Sequence, residues 1–204
     1  MKSDLKAVFC ERLRKTNREG IENVITFLEE KGFFIAPASS RFHLNSEGGL
    51  LAHSLNVCDA AMDIREIMLR RNPTLEKRLP MDSVIIAALL HDVCKTDIYK
   101  PISRKLECLM KLWPGSPAYH TDYGNLPLGH GEKSVICLLQ NGLKLSNDEI
   151  MAIRWHMGAW DISFQGGSSL GNYNKAKHLC PLVTVIQCAD EIATNIVECR
   201  PSPK

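Results

Sequence analysis

The stretch of sequence with the clearest capacity for chemistry runs from Leu89 to Lys95 and reads LLHDVCK. It ends an apolar segment typical of a buried helix, and helical spacing places Asp92 on the same face as the apolar residues. A buried carboxylate must be paired, neutralised or bound to a metal, because an isolated buried charge costs many kcal/mol. With the His91 imidazole beside it, the pair can ligate a divalent cation. The alternative is an Asp at a frayed helix end that pairs with Lys95 and is partly solvated.

Further residues that can bind a metal occupy apolar faces or ends of other predicted helices. They are His53, His130, His156 and Asp190. Each alone has a plainer explanation, since one His on an apolar face is usually a core residue with its hydrogen bonds satisfied. Their occurrence together with the His91–Asp92 pair favours one shared metal centre over a series of coincidences, because each buried charge needs a partner.

The elements that must position these residues are helices, and the apolar spacing predicts an all-α fold. Amphipathic helices are expected from about 4 to 31, from about 49 to 71, before His91, from about 128, after the Ser146–Glu149 capping box and after Pro181. Two segments break this pattern. Residues 97–129 are rich in Pro, Gly and aromatic residues and are expected to be a long irregular loop that forms a lid or a substrate wall, or else to contain a hairpin or a short helix. Residues 163–174 are rich in Gly and Ser and are expected to be a mobile loop.

The bulk composition is that of an ordinary globular protein. The chain has 204 residues, 45% hydrophobic and 24% charged, with a net charge of +2. This predicts a single domain over 1–204, with N-terminal helices to about residue 35 packing on a metal-site core over 40–197. The near-neutral charge disfavours a broad nucleic-acid surface, although a local basic groove stays open. The oligomeric state cannot be inferred.

The cysteines and apolar runs suggest a cellular location. None of the eight cysteines forms a CxxC motif, and most fall in apolar helical patterns, which favours free, buried thiols in a reducing compartment. The apolar runs are far too short for a bilayer, and the first residues lack a signal-peptide core. These features predict a soluble, cytoplasmic protein without a membrane partner.

The order of the candidate ligands resembles the HD-domain metal-dependent phosphohydrolases. That family's pattern is a His, then an adjacent His-Asp pair, then a distant Asp, and its two-metal branch adds two His residues between the pair and the last Asp. The matching residues are His53, His91, Asp92 and Asp190 for the basic pattern, His130 and His156 for the extra histidines, and Lys95 for a Lys that often follows the pair. The resemblance covers about residues 40–197.

Within that family the chain is most similar to the HD domain of 3′-to-5′ exoribonucleases. The shared segments are the one from Gly48 to Leu55 and the Gly129–His130 start of a later helix. The OB-type nucleic-acid-binding domain of those enzymes has no counterpart in these residues. Two departures stand out: Cys94 replaces a common Gly, and Trp155-His156-Met157 stands where a His-His pair is frequent.

The resemblance implies a site for one or two divalent metals. His53, His91, Asp92 and Asp190 would hold the first metal, and Asp92 would bridge to a second held by His130 and His156. Such mixed ligands admit Mn, Fe, Ni, Co, Zn or Mg, so the metal's identity stays open. Lys95 would contact phosphate as a point charge, or it is a surface residue at a helix C-terminus. His43 and Arg154 are further candidates for substrate contacts.

The function so implied is hydrolysis of a phosphoester in a nucleotide or another small phosphorylated compound. Asp92 and Lys95 are the candidate catalytic residues. One alternative is a 3′-to-5′ exonuclease acting on RNA or single-stranded DNA, for which Tyr123, Trp155 and Trp160 can stack bases. Another is a non-catalytic regulatory or binding module that the metal stabilises. Oxygenase chemistry at redox-active iron is a last alternative, which nothing in the sequence selects.

Overall fold

The computed structural model describes residues 2–102, 119–122, 124–158 and 167–199. Within these ranges the fold is all-α, as predicted, apart from one two-stranded ladder. The helices are α1 (Lys2–Lys15), α2 (Ile21–Lys31), α3 (Gly49–Arg71), α4 (Met81–Leu90), α5 (Lys95–Ile98), α6 (His130–Gln140), α7 (Asn147–Trp155), α8 (Gly167–Leu179) and α9 (Pro181–Ile192). Shorter turns cover Phe33–Ile35, Pro73–Lys77 and Ala193–Val197.

The core is built around α3 and α4. Helix α3 packs against α4 and α9, while α7 packs against α4, α6 and α9. Buried hydrophobic side chains from α1 to the end of α9 form one contiguous cluster. Seven of the ten residues of α4 are buried, and a helix that is apolar on nearly every side belongs at the centre of a core. Because α4 ends directly before His91, this central helix carries the candidate ligand pair to the middle of the protein.

Helix boundaries follow the glycine signals in the N-terminal half. Helix α2 begins after Gly20 and ends at Gly32, both in the left-handed region with φ of 92° and 80°. Gly20 is also needed for close packing, since a Cβ there would lie 2.1 Å from the carbonyl oxygen of Gly142. Glycines in the left-handed conformation thus flank both ends of α2, within the region from about 4 to 31 where helices were expected.

The stretch expected to be irregular contains a short ladder at its ends. Strand β1 (Tyr99–Pro101) pairs antiparallel with β2 (Tyr119–Thr121), with Lys100 opposite His120. Helix α5 immediately precedes β1. This three-residue pairing is too short to show an alternating pattern in the sequence, and it leaves the all-α prediction standing. Residues 103–118 and 123 of the expected loop lie outside the described residues.

The expectation of a mobile loop over 163–174 is wrong from Gly167 onward, where α8 begins. Gly and Ser disfavour helix, but tertiary packing overrides this weak preference. Tyr173 and Ala176 are buried, and the Tyr173 ring lies 5.7 Å from that of Trp155. The Tyr173 hydroxyl also donates a hydrogen bond to Gln187 of α9. Residues 163–166 lie outside the described ranges.

All cysteines in the described ranges are free thiols. Cys10, Cys58, Cys94 and Cys180 are buried as expected, whereas Cys188 and Cys199 are exposed. The expectation of free, buried thiols is therefore met by four of the seven described cysteines, while α9 presents Cys188 on its outer face. In the part of the chain that the structure describes, none of the helices combines the length and apolar character needed to cross a membrane.

The capping box predicted at Ser146 is present and belongs to a larger buried network. Glu149 is fully buried, and its side chain accepts hydrogen bonds of 2.7 Å from Arg18, from the Ser83 hydroxyl and from the Ser146 backbone N–H. This one carboxylate joins the α1–α2 connection, α4 and the start of α7.

Replacing Glu149 with Ala should therefore destabilise the fold strongly. Removing the Glu149 carboxylate leaves Ser83 without its acceptor and leaves Arg18 with the carbonyl oxygen of Lys144 but no carboxylate, and breaking such a buried pair costs about 3–5 kcal/mol. Urea unfolding followed by circular dichroism measures the loss. The matched control is Glu22→Ala, which breaks the exposed pair between Arg14 and Glu22 and should leave the unfolding midpoint unchanged. Equal effects of the two variants would contradict the assigned role of Glu149.

Candidate metal centre

Four helices bring ligand-competent side chains to one buried point. His53 comes from the first turns of α3, the His91–Asp92 pair follows α4, His156 follows α7, and Asp190 lies in the last turn of α9. The relative exposure of His53, His91, Asp92 and His156 is 0–1%. Residues that were separate candidates in the sequence are thus brought together by the packing of α3, α4, α7 and α9.

Asp92 lies at the centre of this cluster, with its two oxygens facing different histidines. Its Oδ2 lies 3.3 Å from Nε2 of His91 and 3.7 Å from Nε2 of His53. Its Oδ1 lies 3.4 Å from Nε2 of His156. On the far side, Nε2 of His53 lies 3.2 Å from Oδ1 of Asp190. A carboxylate in this setting can bind a metal ion through each of its two oxygens.

The structure bears on both interpretations of Asp92 that the sequence allowed. Helix α4 ends at Leu90, so Asp92 follows the helix instead of lying within it. It pairs with Lys95 at 2.5 Å, as the alternative expected. However, Asp92 is 1% exposed and Lys95 is 7% exposed, so the pair is not solvated. The interpretation of Lys95 as a surface residue is therefore wrong.

The tautomers of His91 and His156 direct one ring-nitrogen lone pair of each residue to the centre of the cluster. Nδ1 of His91 lies 2.7 Å from the carbonyl oxygen of Ala88, and Nδ1 of His156 lies 2.7 Å from that of Ile153. A carbonyl only accepts hydrogen bonds, so in both rings Nδ1 carries the proton. In the neutral imidazoles, Nε2 then presents its lone pair to the centre of the cluster, as a metal ligand must.

The atoms at the centre lack the hydrogen bonds that buried polar atoms normally make. Nε2 of His53, His91 and His156 and Oδ1 of Asp92 are buried without a hydrogen bond of normal geometry to the described residues, while Oδ2 of Asp92 pairs with the Lys95 ammonium. Unsatisfied buried polar atoms are rare and costly. Their donor types, imidazole nitrogen and carboxylate oxygen, are those of transition-metal sites. The residues therefore fit a divalent metal.

The electrostatics point the same way. Burial favours the neutral form of Asp92, but Lys95 and His91 outweigh it and hold the pKa of Asp92 well below its usual range. Burial alone would lower the pKa of His53, but Asp190 and Glu198 outweigh it and raise that pKa to about 9. The raised pKa of His53 indicates that the negative charge of the carboxylates in the cluster exceeds the positive charge of Lys95. A bound cation would supply the missing positive charge.

Glu198 was not predicted from the sequence; its carboxylate contacts His53 at Nδ1, the ring nitrogen that faces away from Asp92. Both Glu198 oxygens lie 3.1 Å from Nδ1 of His53, and the amide of Asn56 donates to Oε1 at 2.9 Å. A carboxylate on the outer nitrogen of a ligating His fixes its tautomer and orientation. Glu198 lies eight residues after Asp190, close to two helical turns, which was the available signal. The π-helical turn Ala193–Val197 lies between them, and a π-helical turn contains more residues than an α-helical turn.

The two extra histidines occupy different positions. His156 groups with His91 and Asp190, with their ligand atoms within 4.8 Å of one another, while His130 groups with Asp92 and Cys94 at the same limit. His130 is the first residue of α6. The structure thus places both histidines beside Asp92, and His130 brings Cys94 into the cluster.

His43 and Arg154, the candidate substrate contacts, have different surroundings. His43 is half-buried in the loop before α3, with its ring 5.0 Å from that of His53 and its Nε2 3.9 Å from Glu198. Arg154 instead pairs with Glu132 at 2.5 Å and lies 4.0 Å over the Trp155 ring. His43 is therefore at the cluster, whereas Arg154 has protein partners, and a role in binding substrate stays a prediction for both.

Comparison with known protein families agrees with this geometry. A family model of the HD domain matches residues 50–195, which is most of the chain. The chain therefore belongs to the HD-domain family of metal-dependent phosphohydrolases, as the resemblance indicated. No curated protein and no solved structure matches it. His43 and Glu198 lie outside the matched range.

The contact between Glu198 and His53 leads to a test of metal affinity. Glu198→Gln keeps the size of the side chain but removes the charge that orients His53. We expect metal affinity to fall about 10–100-fold, as for other changes behind a ligating His. Competition with a chromophoric chelator measures this. Glu191→Gln is the matched control, since Glu191 is exposed and contacts Asn195, and it should leave affinity unchanged. Equal affinity in both variants would contradict the assigned role.

Proposed function

We propose that this protein is a metal-dependent phosphohydrolase that cleaves a phosphoester of a nucleotide or another small phosphorylated compound. The observation that carries the proposal is the convergence of unsatisfied Nε2 atoms on Asp92 in a chain of the HD-domain family. A bound divalent metal supplies an activated water at neutral pH and polarises a phosphoryl oxygen. His53, His91, Asp92 and Asp190 would hold one ion, and Asp92 with His130 and His156 would hold a second.

The remaining residues have roles that follow from their positions. Lys95, buried beside Asp92, holds a positive charge because the Asp92 carboxylate outweighs burial and raises the pKa of Lys95. It keeps Asp92 ionised as a ligand and offers a point charge to a substrate phosphate. Burial and the nearby His53 lower the pKa of His43 to about 4. His43 is then neutral at pH 7, where it can exchange hydrogen bonds with substrate without adding charge.

Elemental analysis and a substrate panel test the proposal together. The purified protein is analysed for metal per chain before and after incubation with Mn, Co, Ni or Zn. The panel runs from 4-nitrophenyl phosphate and its bis ester through mononucleotides to 3′-labelled RNA and DNA oligonucleotides. Two ions per chain and turnover of a small phosphoester are expected. Turnover confined to oligonucleotides would favour the exonuclease alternative instead.

A matched pair of histidine variants makes the test specific. His91→Ala removes a ligand of the buried cluster, whereas His178→Ala removes an exposed histidine on α8. Only the first should reduce metal content and turnover. Metal bound equally by both variants would show adventitious surface binding. A protein that takes up no metal and cleaves nothing in the panel would overturn the proposal and favour a non-catalytic module.

A further inference from the structure

Cys94 lies inside the metal-ligand cluster instead of beside it. Its sulfur, an Asp92 carboxylate oxygen and a His130 ring nitrogen lie within 4.8 Å of one another. Cys94 is 1% exposed, and it occupies the position where the sequence departs from the Gly common in similar proteins. No other cysteine of the described ranges belongs to a potential metal-binding group.

The backbone holds Cys94 in this position. The N–H of Cys94 donates to the Ser134 hydroxyl at 3.2 Å, and Ser134 is fully buried on α6. His130 lies four residues before Ser134, so both project from the same face of that helix. Helix α6 therefore fixes the Cys94 backbone through Ser134 and brings the His130 ring to its sulfur.

The distances suit ligands of one ion. Zinc binds sulfur at about 2.3 Å and nitrogen at about 2.0–2.1 Å, so two such ligands lie ~3.6 Å apart in tetrahedral geometry and at most ~4.4 Å apart. From the upper limit of 4.8 Å, reaching the tetrahedral separation requires the two ligand atoms to approach each other by at most ~1.2 Å, shared between two side chains. The third member, Asp92, is itself almost fully buried, and its Oδ1 has no hydrogen bond of normal geometry. The group therefore points to a ligand independently of the thiol.

We propose that Cys94 is a thiolate ligand of the second metal position, together with Asp92 and His130, and that it biases this position toward zinc, cobalt or iron over magnesium. The inference rests on the metal centre of the proposed function. On binding, the sulfur–metal bond replaces the S–H bond and the proton passes to solvent. Thiolate is a soft ligand that magnesium binds poorly, so the selectivity follows from the donor atom.

Cobalt(II) titration of the metal-stripped protein tests this by absorption spectroscopy. Visible d–d bands report cobalt in the cluster whatever its ligands, and a sulfur-to-cobalt charge-transfer band in the near ultraviolet reports a thiolate ligand. We expect both in the wild-type protein. Cys94→Ser should keep the d–d bands and lose the charge-transfer band. In this variant the affinity of the second metal position for zinc should fall by at least about 10-fold, which is the lower end of the effect of replacing a residue that supports a metal ligand.

Controls separate Cys94 from the other thiols. Cys137→Ser changes a half-buried cysteine of α6, and Cys188→Ser changes an exposed one; both should keep the charge-transfer band. A band that persists in Cys94→Ser overturns the proposal, and so do d–d bands without charge transfer in the wild type. In both of these cases the metal centre itself stands. Absence of any cobalt bands in the wild type overturns the metal centre and, with it, the role of Cys94.

Discussion

Asp92→Asn is expected to abolish most metal binding and to reduce turnover about 1,000-fold, because metal ions stabilise such transition states by several kcal/mol. Asp92 is the residue whose two oxygens face His91 and His53 on one side and His156 on the other. Asn keeps the shape but offers one neutral oxygen and an N–H group that repels a cation. Metal content and initial rates on the best substrate of the panel measure the effect.

The stability of this variant needs its own control. Asp92→Asn leaves the Lys95 ammonium buried without its carboxylate, and breaking a buried pair in this way costs about 3–5 kcal/mol. The double variant Asp92→Asn with Lys95→Met removes both charges and should regain much of that loss. Circular dichroism and urea unfolding report whether each variant is folded.

Two outcomes are informative about the site. If the folded double variant still binds metal and turns substrate over at the wild-type rate, Asp92 is not the central ligand. Asp63→Asn, which changes an exposed carboxylate of α3, should match the wild type in metal content, rate and stability. A loss of activity in both single variants would indicate a general charge effect instead of a ligand role.

The elements that were predictable are those with local signals. Helix α3 begins at Gly49 and ends at Arg71, the bounds that the apolar spacing predicted. The capping box at Ser146 is formed in the structure, since its two hydrogen bonds are made within four consecutive residues. Ligand types at helical spacing likewise identified the histidines and aspartates that now meet in the cluster.

The features that were missed depend on contacts between distant segments. The pairing of Tyr99–Pro101 with Tyr119–Thr121 is three residues long, which carries no periodic signal. Helix α8 forms against its local preferences because Tyr173 packs on Trp155. The position of Glu198 depends on a π-helical turn, so its eight-residue separation from Asp190 was only a weak signal. The burial of Lys95 depends on packing that surrounds the end of α4, which its own segment does not specify.

Metal removal should destabilise the protein, and by more at alkaline pH. Without a cation, Asp190 and Glu198 outweigh the effect of burial and raise the pKa of His53 to about 9, against 6.5 for an ordinary His. A folded-state pKa above the unfolded value stabilises the fold fully below pH 6.5, and this contribution is lost as pH rises through 9. At acid pH it amounts to roughly 3 kcal/mol. His156, whose pKa is raised by Asp92 despite burial, acts in the same direction.

The metal-loaded protein should behave differently, because a ligating His53 is neutral and the cation replaces its proton. A free metal concentration 1,000-fold above Kd stabilises the fold by about 4 kcal/mol. That corresponds to about 10 °C in Tm for a chain of this size. The difference in Tm between metal-loaded and chelator-treated protein should therefore be about 10 °C near neutral pH and widen from pH 6.5 to 9.

Thermal unfolding of the two forms across that pH range measures the effect. His53→Gln should flatten the pH dependence of the chelator-treated protein between pH 6.5 and 9, while His178→Ala should leave it unchanged. The titration of His43 in the folded protein lies on the acid side of this pH range, because burial and His53 lower the pKa of His43 to about 4. A Tm of the chelator-treated protein that rises from pH 6.5 to 9 would show that the carboxylates do not hold a proton on His53. The excess negative charge that makes this cluster a cation site would then be absent.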